Sequence, residues 1–155
     1  MTQMKIFDPC CGSKMFWFQK DNVNTIYGDI RKEDHILCDG RYLKIDPDIL
    51  MDYKNIPFPD DTFKLVVFDP PHLKNIGDNS WMKKKYGRLN VRWQDEITKG
   101  FFECFRVLKE DGILVFKWNE HQIKIKDVLC LTEKIPLFGN TSGKNNFTHW
   151  YIFMK

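Results

Sequence analysis

The stretch LVVFDPPHLK, residues 65–74, restricts the fold more than any other part of the chain. Its four leading apolar residues describe a strand buried on both faces, the kind found inside parallel sheets. Asp69 then sets a carboxylate at the end of that strand. Pro70 and Pro71 follow, each with φ locked and no N–H to donate, so neither a helix nor a paired strand can continue through them. His72 comes next, on a backbone that the prolines have stiffened.

The same grammar recurs. KIF (5–7) reads as a short buried strand running into the turn-rich DPCCGSK, NTIYGD (24–29) ends at Asp29, and DILMD (48–52) ends at Asp52. MFWF (15–18) is expected to open a short helix, and HILCDGRYLKI (35–45) to form a hairpin around Asp39-Gly40. IPFPDDTF is a proline-punctuated turn. From Trp93 the apolar residues Ile97, Phe101, Phe102, Phe105 and Leu108 recur at helical spacing, with Phe101, Phe102 and Phe105 expected in the core, and Glu110-Asp111-Gly112 is expected to stop the helix. ILVFKW (113–118) and the closing WYIFMK read as further strands, with Gly139 to Gly143 a turn between them. Buried strands broken by a long helix predict an open α/β sheet, whose ligands lie beyond the carboxyl ends of the strands. The residues just past each strand therefore carry the functional reading.

Composition sets the bounds. A chain of 155 residues, 43% hydrophobic and 15% aromatic, predicts one domain (1–155) around one core, with no separate target-recognition domain. No apolar run is long enough to span a membrane, and Lys5 and Asp8 interrupt any secretory signal. Five cysteines at irregular spacing suggest thiols in a reducing compartment, which predicts a cytoplasmic location. His35 and Cys38 with Cys10 and Cys11 lack the paired C-x-x-C spacing of a structural zinc site, so no metal is expected. Residues 74–92 hold six basic side chains, Lys74, Lys83, Lys84, Lys85, Arg88 and Arg92, against one acid, Asp78. That segment is +5 within a chain of net +3, which leaves the remainder at −2. Interleaved with Trp81 and Tyr86, these residues suit either a clamp on nucleic acid or a solvated loop.

In their order along the chain, FDPCCGS, YGD, MDYKNIPFPDDTFKLVVFDPP and CFRVLKEDGILVFKW resemble the motifs of Rossmann-like, class I S-adenosylmethionine-dependent methyltransferases. The resemblance is strongest to amino-methyltransferases with a D/N/S-P-P-aromatic signature, and the arrangement is similar to small methylases of phages and prophages. It implies a mostly parallel sheet with an antiparallel strand near the C-terminus, and S-adenosyl-L-methionine as cofactor, held by Asp8, Cys10, Gly12, Asp29, Asp52 and Tyr53. Asp29 would take the ribose hydroxyls, Asp52 the adenine amino group, and Asp8 would lie near the methionine part. Lys14 stands where the family has its second glycine, which bears on the shape of that loop. The catalytic set would be Asp69, Pro70, Pro71 and His72. An amine aimed at a sulfonium methyl needs both of its N–H groups engaged, and the Asp69 carboxylate and the Pro70 carbonyl can accept them.

His72, at the family's aromatic position, would stack on the target base or donate to it; the other reading is a turn histidine without contact. Asn119, Glu120 and His121 would either line the same pocket or cap a helix. The implied acceptor is an exocyclic amine of a nucleobase, with adenine N6 in DNA favoured and RNA the alternative. A non-catalytic nucleic-acid-binding or zinc module is the reading from a different class. The substrate would be gripped by Lys74, Trp81, Lys83, Lys84, Lys85, Tyr86, Arg88 and Arg92. The resemblance also implies a bacterial or phage-infected host cell, and a homodimer partner or residues 74–92 in place of the helix that precedes the first motif in the family.

Overall fold

The computed structural model describes residues 5–155. The first apolar runs form β1 (Ile6–Asp8) and β2 (Thr25–Asp29), followed by a separate hairpin of β3 (Glu33–Ile36) and β4 (Tyr42–Ile45). Then come β5 (Ile49–Leu50), β6 (Phe63–Phe68), α1 (Trp81–Tyr86), α2 (Trp93–Val107) and β7 (Leu108–Asn119). The chain closes with α3 (Ile125–Leu129), β8 (Phe138–Ser142), a 3-10 turn (Lys144–Asn146) and β9 (Thr148–Met154). Seven strands form one sheet in the order β5-β2-β1-β6-β7-β9-β8. The first five in that order are parallel, and β9 pairs antiparallel with both β7 and β8.

One stripe of α2 explains how the sheet is covered. Trp93, Ile97, Phe101, Cys104 and Phe105 are buried against Phe7, Val66, Phe68, Leu114 and Phe116. Each fully buried apolar side chain of this size contributes roughly 1.5–3 kcal/mol. Gly100 lets the helix approach, since a Cβ there would meet the Phe68 ring at 2.5 Å. Phe102, expected in the core, points the other way and is 69% exposed. It sits one residue off the stripe, about 100° around the helix.

The same helix anchors the loop after β5. Glu103 accepts the Ile56 N–H (2.7 Å), and Arg106 pairs with Glu103 (2.7 Å) while donating to the carbonyls of Ile56 and Phe58 (2.9 and 2.8 Å). Buried loop carbonyls thereby find donors, which keeps a proline-rich segment in a single path. That path brings Asp52 and Tyr53 to the carboxyl edge of the sheet.

Several sequence expectations need correction. MFWF forms turns, because its rings are used individually: Phe16 packs on Trp150 and Trp17 on Tyr27. The strand expected from Ile113 begins at Leu108 and runs through Glu110-Asp111-Gly112, with Asp111 at φ 60°. Gly139 to Gly143, expected as a turn, contains most of β8, an exposed edge strand held by its pairing with β9. The Asp39-Gly40 hairpin forms as expected.

Candidate active site at the carboxyl ends of the strands

The strand ends converge on a cleft of about 220 Å³, lined by the loop after β1 together with Asp29, Asp52, Asp69 and Glu96. Asp8 lies behind this wall rather than in it. It is fully buried, with one oxygen accepting the Cys10 N–H (3.1 Å) and the other the Trp17 indole N–H (2.8 Å). Burial pushes its carboxyl up to about 7 despite those two bonds, and the charges of Asp69 and Asp29 push the same way. Asp8 ties the loop down from behind the cleft wall, buried away from any ligand in the cleft.

Gly12 lines the cleft at φ 51°, the left-handed region where a missing Cβ costs nothing. Its N–H donates to Asp29 Oδ2 (2.8 Å), and the Arg31 N–H donates to Oδ1 (2.9 Å). Two backbone donors thus fix the Asp29 carboxylate and leave further lone pairs on each oxygen. Lys14 also takes a left-handed backbone, at φ 56°, which costs a non-glycine residue roughly 1–2 kcal/mol. The cost is offset by its ammonium, which sits 3.9 Å from the Tyr27 ring centroid and donates to the Lys20 carbonyl (3.1 Å). The loop keeps a glycine-like turn at this position.

On the opposite side, Asp52 accepts the Lys54 N–H (2.9 Å) and pairs with the Lys54 ammonium (3.0 Å), which also reaches Glu96 (3.3 Å). The Tyr53 ring packs edge-on against Phe68, and burial raises its phenol. Cys10 lines the cleft as a thiol that burial pushes well up. With Ile30 and Met15, these groups give the cleft apolar walls, and its four carboxylates are matched by four basic side chains, Arg31, Lys54, Lys85 and Arg88.

Asp69 forms a partition. Its Oδ2 receives the Lys117 ammonium at 2.9 Å. Burial raises the Asp69 carboxyl, while the charge and hydrogen bond of Lys117 lower it. Beyond Asp69 lies a second cleft of about 420 Å³, which shares Asp69, His72 and Tyr86 with the first and adds Lys117, Asn119, His121 and Phe147. His72 tilts over Tyr86 with centroids 5.4 Å apart, and Phe147 lies 6.0 Å from His121. Burial, then the charges of Lys117 and His121, lower His72 to about 4, so its imidazole is neutral at physiological pH. Pro70 and Pro71 line the first cleft. Of residues 119–121, Asn119 and His121 line the second cleft, whereas Glu120 accepts the first N–H of α3 at Ile125 (3.1 Å).

The basic segment divides. Lys85, Tyr86 and Arg88 line the first cleft. Lys74, Lys83, Lys84 and Arg88 line an outer groove with Arg31, where Asp78 pairs with Lys83 (2.7 Å) and Arg88 (3.1 Å). Trp81 is 42% exposed, with the Lys85 ammonium 5.7 Å from its ring. Arg92 stands apart: it precedes α2, pairs with Asp95 and lines none of these clefts. Arg31, Glu96, Phe147 and Lys117 are site residues that the sequence reading missed. Lys117 had a signal, as a lone charge within the apolar run ILVFKW.

Among the described residues no three His, Cys, Asp or Glu side chains are grouped to hold a metal, and no helix is long and apolar enough to cross a membrane. His35 faces Glu33 on the hairpin and Cys38 is exposed at its turn, while Cys10 and Cys11 belong to the cleft wall.

No protein-family model and no curated protein sequence matches the chain. Solved structures do. A TehB-like SAM-dependent methyltransferase from Corynebacterium glutamicum superposes with a TM-score of 0.60 at 16% identity, over 100% of this chain and 82% of that one. A protein from Pyrococcus horikoshii gives 0.59 at 15% identity, over 97% and 81%. A SAM-dependent methyltransferase from Leishmania major gives 0.58 at 14% identity, over 97% of this chain but 64% of that one. At these identities the likeness is one of architecture, and the chain has the Rossmann-like fold of class I methyltransferases.

Proposed function

We propose that this protein transfers a methyl group from S-adenosyl-L-methionine to an exocyclic amine of a nucleobase, with adenine N6 in DNA as the favoured acceptor. The observation that carries this reading is the partition: Asp69 and His72 face both clefts at once. A donor bound on one side and an acceptor on the other would meet across them.

The residues of the first cleft fit the cofactor. Asp29, held by backbone donors, has lone pairs for a ribose diol, Gly12 allows close backbone approach, and Ile30 and Tyr53 offer flat apolar contact to a purine. When bound, the cofactor supplies an electrophilic methyl group.

The chain's own groups do the rest. Lys117 occupies Asp69 Oδ2, so Oδ1 remains to accept one N–H of the amine, and the Pro70 carbonyl can accept the other. The proline backbone keeps that carbonyl in one direction, so the barrier falls mainly through orientation. Asp69 also offsets positive charge that grows on the nitrogen. Neutral His72 and Tyr86 present ring faces for a base that has left its stack, and Phe147 and Asn119 offer a further ring and an amide. The cations of the outer groove suit phosphates of the flanking strand.

The test is tritiated methyl transfer to DNA and RNA, followed by nucleoside analysis. Label in N6-methyladenine from DNA is expected. Label in an RNA nucleoside would move the acceptor to RNA, and no label in either, with S-adenosylhomocysteine bound, would remove the nucleobase from the reading.

A further inference from the structure

We infer that Lys117 is a positioning residue for methyl transfer: it holds Asp69 as an oriented carboxylate with one oxygen free for the acceptor amine. This rests on the function proposed above. Lys117 projects from β7 on the face that carries Ile113 and Val115, where a charge is otherwise out of place. Its ammonium lies 2.9 Å from Asp69 Oδ2 and beside the packed rings of Phe16 (5.2 Å) and Trp150 (5.6 Å). Both partners are about one-fifth exposed. Two rings and one carboxylate hold the amine of a flexible side chain at a single point.

The alternative is a pair that only stitches β6 to β7. Strand pairing already does that, from Leu65 with Ile113 to Phe68 with Phe116. A buried pair is also a poor stabiliser compared with apolar packing of similar volume. The surroundings of Asp69 give Lys117 a distinct task. Asp8 on β1 and the Cys10 thiol face it from one side, with His72 and Tyr86 on the loop and helix beyond, and His72 is neutral at physiological pH. Lys117 is the cation bonded to the Asp69 carboxylate among the described residues. Without it, burial favours a protonated Asp69, whose O–H would compete with the amine as a donor.

The sign follows directly. Asp69 acts ionised, and Lys117 lowers its pKa, so removing Lys117 moves the acidic limb of the rate profile to higher pH. The experiment compares wild type, Lys117→Met, Lys117→Gln and Lys117→Arg in tritiated methyl transfer across pH 5 to 9, with S-adenosylhomocysteine affinity measured in parallel. The neutral variants should lose about tenfold or more in kcat at pH 7, recover in part at high pH, and bind S-adenosylhomocysteine within about threefold of wild type. Lys117→Arg should restore most of the wild-type limb. An unmoved limb and unchanged kcat in a folded neutral variant would overturn the inference, as would an arginine variant no better than methionine.

A second readout needs no substrate. The carboxyl carbon of Asp69, assigned with Asp69→Asn, is titrated by NMR in wild type and Lys117→Gln. A higher midpoint in Lys117→Gln supports the inference, and equal midpoints overturn it. Absence of methyl transfer in wild type, with S-adenosylhomocysteine bound, would instead count against the nucleobase reading.

Discussion

Asp29 and Asp69 occupy matching places, at or just past the ends of β2 and β6, the two strands that flank β1. Their partners differ in kind. Asp29 is held by two backbone N–H groups, from Gly12 and Arg31, with the Arg31 guanidinium 3.4 Å away. Asp69 is held at one oxygen by the side chain of Lys117. Backbone donors are part of the scaffold and fix a carboxylate as a docking point. A lone ammonium fixes one oxygen and leaves the other for chemistry. Residue type and topological place are shared, so the partner decides the role.

The contrast is sharpest in turnover. Asp69→Ala should lower methyl transfer roughly 100-fold or more, the scale for losing one preorganised electrostatic contact. Near-normal turnover in a single-turnover assay would dissolve the distinction between the two acids.

The outer groove is a control that involves neither acid. If Lys74, Lys83 and Lys84, which line that groove, each neutralise one phosphate, changing all three to glutamine should flatten the slope of log affinity against log salt by about 2 to 3 units on duplex. S-adenosylhomocysteine affinity should not change. Parallel salt lines would mark the segment as a solvated face, a role to which the Lys83–Asp78 pair could equally belong.

Asp8 extends the comparison to a carboxylate buried behind the cleft wall. Its folded value of about 7 lies above the ordinary 3.8, so the folded state binds the extra proton. Stability from this group is therefore greatest below about pH 4 and falls as pH rises toward 7, by up to about 1.4 kcal/mol per pH unit. Asp8→Asn should flatten that slope in urea unfolding between pH 4.5 and 7.5. An identical slope in the variant would mean that Asp8 is ionised throughout.

The smallest effect belongs to His72. His72→Phe keeps a ring beside Tyr86 and should retain most activity, while His72→Ala should weaken substrate use several-fold, within about 1–3 kcal/mol for a stacked base. Equal kcat/KM in all three proteins would favour a turn histidine.

The sequence carried this plan unevenly. LVVFDPP and ILVFKW were legible because buried parallel strands are continuous apolar runs, and α2 because fifteen residues hold a 3.6-residue period. α1 and α3 were not, since six and five residues make fewer than two turns each, too short to show a period. β8 was misread because GNTS, after Phe138, is small, polar and exposed, and becomes a strand only through pairing with β9. The candidate site was legible where acids follow strands. It was not where the contact spans the sheet: Lys117 and Asp69 are 48 residues apart, and no local spacing joins them. Asp8 was legible as the acid that ends β1, but not as a side chain buried behind the cleft wall, because its burial depends on Trp17 and the loop that folds over it.

The division between the two acids is tested most directly by calorimetric titration of S-adenosylhomocysteine into wild type, Asp29→Ala and Asp69→Ala. Removing the Asp29 carboxylate should cost about 1.5 to 3 kcal/mol, at least a tenfold loss of affinity, while Asp69→Ala stays within about threefold of wild type. Unchanged binding in a folded Asp29→Ala protein, or an equal loss in both variants, would contradict the account.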